Sequence, residues 1–318
     1  MNIRFILLAS FVLLAGCTNS VDIPLESPGS DVSVETSSTV LQAGFENVET
    51  RAYVDNGLHL FWTKDDRISV FEGTTYNIQY SYLGETGSNK ADFEPVAASG
   101  LHSGSNLDKP AYYAVYPYVK ETEISQAGNE IAYCLPSIQQ YADNSFGLGA
   151  NTMVAVTANM DDKFLSFKNV GGYIVFKLYG EGTVIKSVSL TTQAGEPLAG
   201  NAIITASNTA VPSVVFKSDD SLTPTLTIDC GEGVELGSTS AEAKGFWFVV
   251  PPVTMANGFA VTFAGEDGSS ITRTASGSIA IARNKVFRVP ALEVKFVSNK
   301  KDFQDNGIDG LDEIDFDW

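Results

Sequence analysis

The sequence predicts an all-β protein built as two antiparallel β-sandwiches in tandem. Helical periodicity is nearly absent, and short runs of Val, Ile, Phe and Tyr recur roughly every ten to fifteen residues between Gly, Asn, Asp or Ser. The length of 318 residues, 44% of them hydrophobic, supplies enough apolar material for two cores.

The first element is not part of either core. MNIRFILLASFVLLAG carries one charge, Arg4, and then an apolar or small run from Phe5 to Gly16. A helix of that run reaches roughly 18 Å, against about 30 Å for a hydrocarbon core, so it predicts a secretory signal and not a span. Leu14, Ala15, Gly16 and Cys17 resemble the lipobox of bacterial lipoproteins. The resemblance implies cleavage before Cys17 and acylation of its thiol and new amine, and two or three acyl chains make a durable anchor where one does not. Thr18 at the next position resembles lipoproteins sorted to the outer membrane.

Residues 17–35 are predicted to be an acidic tether: no Lys or Arg occurs from Thr18 to Thr50. Its continuation, VETSSTVLQAGF at 34–45, has strand-forming residues and is expected either to dock or to extend the tether. Losing residues 1–16 removes only Arg4, so the formal net charge moves from -18 to -19. So acidic a surface repels nucleic acid.

In RAYVDNGLHLFW, residues 51–62, Asn56-Gly57 supplies the two positive-φ positions of a type I′ hairpin. Further strands are predicted at RISVFE, TYNIQYSYL, AYYAVYP, EIAYCLP, FLSFKNV, GYIVFKLYG, IKSVSLTT, NAIIT, TLTIDC, GFWFVVPP, FAVTFAG, ITRTAS and KVFRVPALEVKFV. The two sandwiches are assigned to 36–162 and 163–298, with the break near NMDDKFLSF, and 299–318 is an acidic tail. The alternation in YYAVYPY at 112–118 predicts one buried and one exposed face.

Few residues offer chemistry. Cys134 and Cys230 lie far apart, in strand-like settings without a CxxC, and read as two buried free thiols, not as a metal site or a long-range disulfide. His59 and His102 lack partners for a triad or zinc and read as ordinary surface residues. No phosphate-cradling or dinucleotide motif follows a strand. DNGIDG at 305–310 fails as a calcium loop, because Gly307 stands where an oxygen ligand is needed and Phe316 where a closing Glu is needed. Trp62 and Trp247 read as core residues and not as sugar platforms. Convergent carboxylates leave glycoside hydrolysis as the one chemically open form of catalysis. No enzyme activity, cofactor or metal is therefore expected.

Several segments together resemble one family. A Thr50-Arg51 pair follows the lipobox. FWTKDDRISVFEG at 61–73 resembles the W-x-x-x-D-x-I-x-V-F strand of the fimbrillin family, and YYAVYPY its Y-x-A-x-Y-P strand. LPSIQQYADNS at 135–145 resembles its P-x-x-Q segment, and LSFKNVGGYIVFKL at 165–178 the strand pair that opens its second domain. The resemblance implies two transthyretin-like sandwiches and a lipid-anchored outer-membrane protein that builds or decorates surface fimbriae. It also implies partners among other fimbrial subunits and a host or glycan receptor. In polymerising members an Arg-directed protease removes the N-terminal strand, and a strand of the next subunit fills the groove. Arg51, the first basic residue after Cys17, is the position for that cut, with an exposed strand residue as the plainer reading. ALEVKFV at 291–297 is open to two readings, donor strand or last strand of its own sandwich. A glycan-binding lipoprotein of an uptake system is the second functional reading. If the anchor is the lipid on Cys17, Cys17→Ala moves the signal-cleaved body out of the detergent phase on fractionation; a variant still in that phase overturns the lipobox.

Overall fold

The computed structural model describes residues 39–46, 60–96 and 104–296. Cys17, Arg51, His59, His102, the Asn56-Gly57 hairpin and the acidic tail with its DNGIDG loop lie outside the described residues. Within them the protein is all β, with one short 3-10 turn at Ser240–Glu242.

The first half contributes β1 (Leu41–Phe45), β2 (Arg67–Glu72), β3 (Ile78–Tyr82), β4 (Lys90–Pro95), β5 (Tyr112–Tyr116) and β6 (Glu123–Ile124). It continues with β7 (Glu130–Leu135), β8 (Ile138–Ala142), β9 (Ser145–Phe146), β10 (Met153–Val156) and β11 (Phe164–Asn169). The second half contributes β12 (Gly172–Tyr179), β13 (Val184–Thr192), β14 (Gly200–Thr205), β15 (Val214–Phe216), β16 (Thr225–Glu235) and β17 (Lys244–Val250). The remaining strands are β18 (Val253–Met255), β19 (Phe259–Gly265), β20 (Ser270–Ala275), β21 (Ile279–Ile281) and β22 (Val286–Glu293).

Seven strands close into a barrel in the order β1-β11-β10-β5-β2-β3-β4. Every neighbour pair is antiparallel except β1 with β11. The alternation of side chains along each strand divides two cores. Tyr112, Ala114 and Tyr116 of β5 point into the barrel, beside Ile68, Val70, Phe93 and Phe167. Tyr113 and Val115 point outward and are buried as well, because the sheet β15-β14-β7-β6 covers that side with Ile131, Tyr133, Ala202 and Ile204. The exposed face expected for YYAVYPY is therefore absent; the alternation is there, but both of its faces are covered.

A third core lies between the sheets β17-β12-β22 and β20-β19-β13-β16-β8-β9. Phe176 of β12 is at its centre, edge-on to Phe248, Phe259 and Phe263 at ring distances of 5.8–6.4 Å. Gly258, at φ +77°, opens β19; a Cβ there would lie 1.9 Å from the Ala275 carbonyl oxygen, so only glycine fits.

Strand pairing does not break cleanly at 162/163. β11, beyond that point, completes the barrel, while β7 pairs with β14 over six residues and β8 runs parallel to β16. Gln139 of β8 adds a further tie. Its amide nitrogen donates to the Val249 carbonyl at 2.8 Å and its amide oxygen accepts from the Val249 N–H at 2.9 Å. Only Ala291, Leu292 and Glu293 of ALEVKFV lie in β22, the last strand of its own sheet, which runs parallel to β12; Val294 is buried just beyond the strand end. Of the two cysteines expected to be free and buried, Cys230 is both. Cys134, half-buried on β7, is disulfide-bonded, which corrects the free-thiol expectation for it.

Because β7 and β8 are stitched into second-half sheets, a single proteolytic cut in the exposed Ala158–Lys163 loop leaves both fragments together on native size-exclusion chromatography. They separate only in denaturant. Separation under native conditions overturns this account of the interface.

Candidate functional site

The groove between β4 and β11 is the place where a short, separately tethered strand completes the fold. Leu41 and Ala43 of β1 are fully buried in the barrel, and Gln42 between them faces out. On one side β1 pairs antiparallel with β4, Leu41 opposite Phe93 and Gly44 opposite Lys90. On the other it runs parallel to β11, Gln42 beside Phe164 and Phe45 beside Phe167. The Gln42 N–H donates to the Lys163 carbonyl and the Glu46 N–H to the Phe167 carbonyl, both at 2.8 Å. Of the stretch 34–45 expected to dock or dangle, the described part is docked. Thr39–Glu46 then leads into 47–59, which carries Arg51 and lies outside the described residues.

Trp62 holds the floor of this groove. Phe45 stacks on its ring at 4.4 Å, and Phe93, Tyr116 and Phe167 meet it edge-on at 4.9–5.6 Å. Trp62 is 1% exposed, which makes it a core residue as its sequence context predicted. Offset and edge-to-face pairs of this kind each add about 0.5–1.5 kcal/mol beyond area burial. Trp247 differs: it is half-buried on β17, with the Arg288 guanidinium 5.7 Å from its ring centre.

Beside Phe45 and Trp62 a cleft of about 360 Å³ runs between the barrel rim and the β8–β9 hairpin. Phe61, Phe146, Leu148 and Tyr116 contribute its apolar wall, and Asp66 its one carboxylate. Asp66 is 6% exposed and accepts from the Thr63 N–H at 2.7 Å and the Tyr116 hydroxyl at 2.9 Å. Burial raises its pKa to about 6, with both hydrogen bonds opposing the rise. The Tyr116 hydroxyl is pushed well above its usual range, by burial first and then by the Asp66 charge. Trp62, Asp66, Tyr112, Ala114 and Tyr116 are the residues that carry the family resemblance. Here they converge as barrel interior and cleft wall.

Cys17 and Arg51, the two residues singled out in the sequence, lie outside the described residues. Glu46 and Arg283 escaped sequence reading. They form an ion pair at the far end of β1, 237 residues apart in the chain. Nothing in local pattern joins two positions so distant.

No family model matches this chain, and no curated protein does. Among solved structures it is similar to a candidate cell adhesion protein from Bacteroides ovatus, with 16% identity and a TM-score of 0.44 over 77% of this chain and 90% of that one. A candidate cell adhesion protein from Bacteroides uniformis is similar at 14% identity and a TM-score of 0.44, covering 82% and 94%. A fimbrial protein from Bacteroides ovatus is similar at 13% identity and a TM-score of 0.35, covering 84% of this chain and 55% of that one.

The raised Asp66 pKa fixes the sign of a pH effect. The fold holds the proton more tightly than the unfolded chain, so this contribution is fully present below the unfolded value of 3.8 and is lost as pH rises through about 6. Between pH 4 and pH 7 the wild type should lose about 2 kcal/mol relative to Asp66→Asn, measured by urea denaturation. A pH-independent difference between the two overturns the assignment.

Proposed function

We propose that this chain is a fimbrillin-like, lipid-anchored cell-surface protein without catalysis, acting as a structural or accessory subunit of fimbriae in adhesion. In this reading Cys17 carries the lipid at the outer membrane. A cut after Arg51 releases the N-terminal strand, and a strand of a neighbouring subunit takes its place.

One observation carries the reading. β1 is an interior strand of a closed barrel, yet it is joined to the remainder only through 47–59, which contains Arg51. Its loss would leave two unpaired strand edges and expose Trp62 and the barrel core, the state that strand addition relieves. The glycan-binding alternative needs two or three solvent-facing rings in one plane. The cleft supplies Phe61, at 54% exposure, while the neighbouring Trp62 ring is enclosed.

A chain lacking everything through Arg51 is expected to melt lower than the intact one and to associate on size-exclusion chromatography. A stable monomer with unchanged Tm overturns strand replacement and favours an anchored accessory role.

A further inference from the structure

The distal end of the β1 groove is built around a charge. Glu46 Oε1 accepts from the Asn169 main-chain N–H at 2.5 Å and from Arg283 Nη1. Arg283 Nη1 also donates to the Asn169 carbonyl at 2.9 Å. The two charged side chains are 19% and 18% exposed. Asn169 is fully buried, and its side chain is fixed on both sides: its amide nitrogen donates to Asn284 Oδ1, and its oxygen accepts from Asn151 Nδ2, each at 2.7 Å. The receptor half of this arrangement belongs to β11 and the Arg283–Asn284 turn. When β1 leaves, only the carboxylate goes with it. A main-chain N–H and a largely buried guanidinium then remain facing the vacated groove.

We propose that this groove selects its occupant by charge as well as by shape. The strand that replaces β1 must place an acidic residue where Glu46 stands, directly after an aromatic one, with small residues in the places of Ala43 and Gly44. This rests on the strand-replacement reading above. A neutral strand would fill the apolar groove but strand the Arg283 cation against it, and so binds more weakly than an acidic strand by the worth of a charge-assisted pair. The small-residue condition is steric. It is strict at Ala43, which is fully buried, and looser at Gly44, where a Cβ would lie 3.1 Å from the exposed end of the Phe164 ring, which can give way. The same conditions exclude this chain's own ALEVKFV. With Phe296 set on the Phe45 position, Lys295 falls at Gly44 and Val297 at Glu46. The occupant is therefore a strand of another subunit with the pattern apolar, any, small, small, aromatic, acidic.

The test uses the mature full chain with a site-specific protease sequence placed between residues 47 and 59, cut once. Exchange of fluorescent, C-terminally amidated peptides is then followed by anisotropy. The peptide of residues 39–48 should bind about tenfold or more tightly than its Glu46→Gln form. In the Arg283→Gln protein that ratio should fall to about one, and ALEVKFV should not compete with either. Arg283→Lys, which keeps the charge, should retain a preference for the acidic peptide and serves where Arg283→Gln does not fold. Equal affinity of the two peptides, or a ratio unchanged in Arg283→Gln, overturns the charge requirement and leaves strand replacement standing. No exchange of any peptide overturns strand replacement itself, and this proposal with it.

Discussion

A sheet closed on itself has no edge, and in the barrel closure depends on five residues of β1 lying between β4 and β11. Without them the order β11-β10-β5-β2-β3-β4 is an open, strongly curved sheet with an edge strand at each end. β1 also brings the side chains that the interior lacks: Leu41 and Ala43 fill the barrel, and Phe45 covers the Trp62 ring. Each fully buried large apolar side chain contributes about 1.5–3 kcal/mol, so so short a strand supplies an appreciable part of a marginal stability. The barrel is thereby conditional on a segment held by few residues, whereas its other six strands are tied by their own hairpins and by the sheet packed outside.

That outer sheet explains why the two halves are not independent bodies. β5 is buried on both faces, its even-numbered residues in the barrel and its odd-numbered ones against β7 and β14. Since β7 comes from the first half and β14 from the second, the layer that covers the barrel is itself composed of both. The buried polar chain from Glu46 through Arg283 and Asn169 to Asn151 and Tyr173 crosses the same junction, with every link at hydrogen-bond distance. Polar groups this deep are satisfied only by one another, which makes their relative placement specific.

Strands whose sequence alternates β-branched or aromatic residues with polar ones were legible from composition alone, from Arg67–Glu72 to Val286–Glu293. β4, β8 and β10 were not, and neither were the two- and three-residue strands β6, β9, β15, β18 and β21. KADFEP is half charged, IQQYA carries two glutamines, and MVAV lies in a stretch rich in Ala, Thr and Asn. These become strands because neighbours on both sides supply ladder partners, a tertiary fact that propensity does not encode. At the site, the motif residues Trp62, Asp66 and Tyr116 were visible as a pattern, but their roles as stacking floor, buried carboxylate and hydrogen-bond donor depend on barrel closure. The Glu46–Arg283 pair was invisible, because charges at unrelated positions in sequence meet only once both halves are folded. The boundary near 162 was drawn where composition changes, whereas the chain changes partners over a longer stretch on either side of it.

The side chain of Gln139 has a further consequence. By offering one donor and one acceptor to the main chain of Val249, it occupies those groups of β17, an edge strand of its sheet, on the side away from β12. It is a rung of a ladder made without a strand. Gln139 and Val249 are both buried, so the amide supplies what water cannot reach to supply at an edge that β8 covers. An apolar residue of similar volume could keep the interior filled and still leave the Val249 N–H and carbonyl buried without partners, at about 1–3 kcal/mol each, so at this place shape alone does not substitute for the amide.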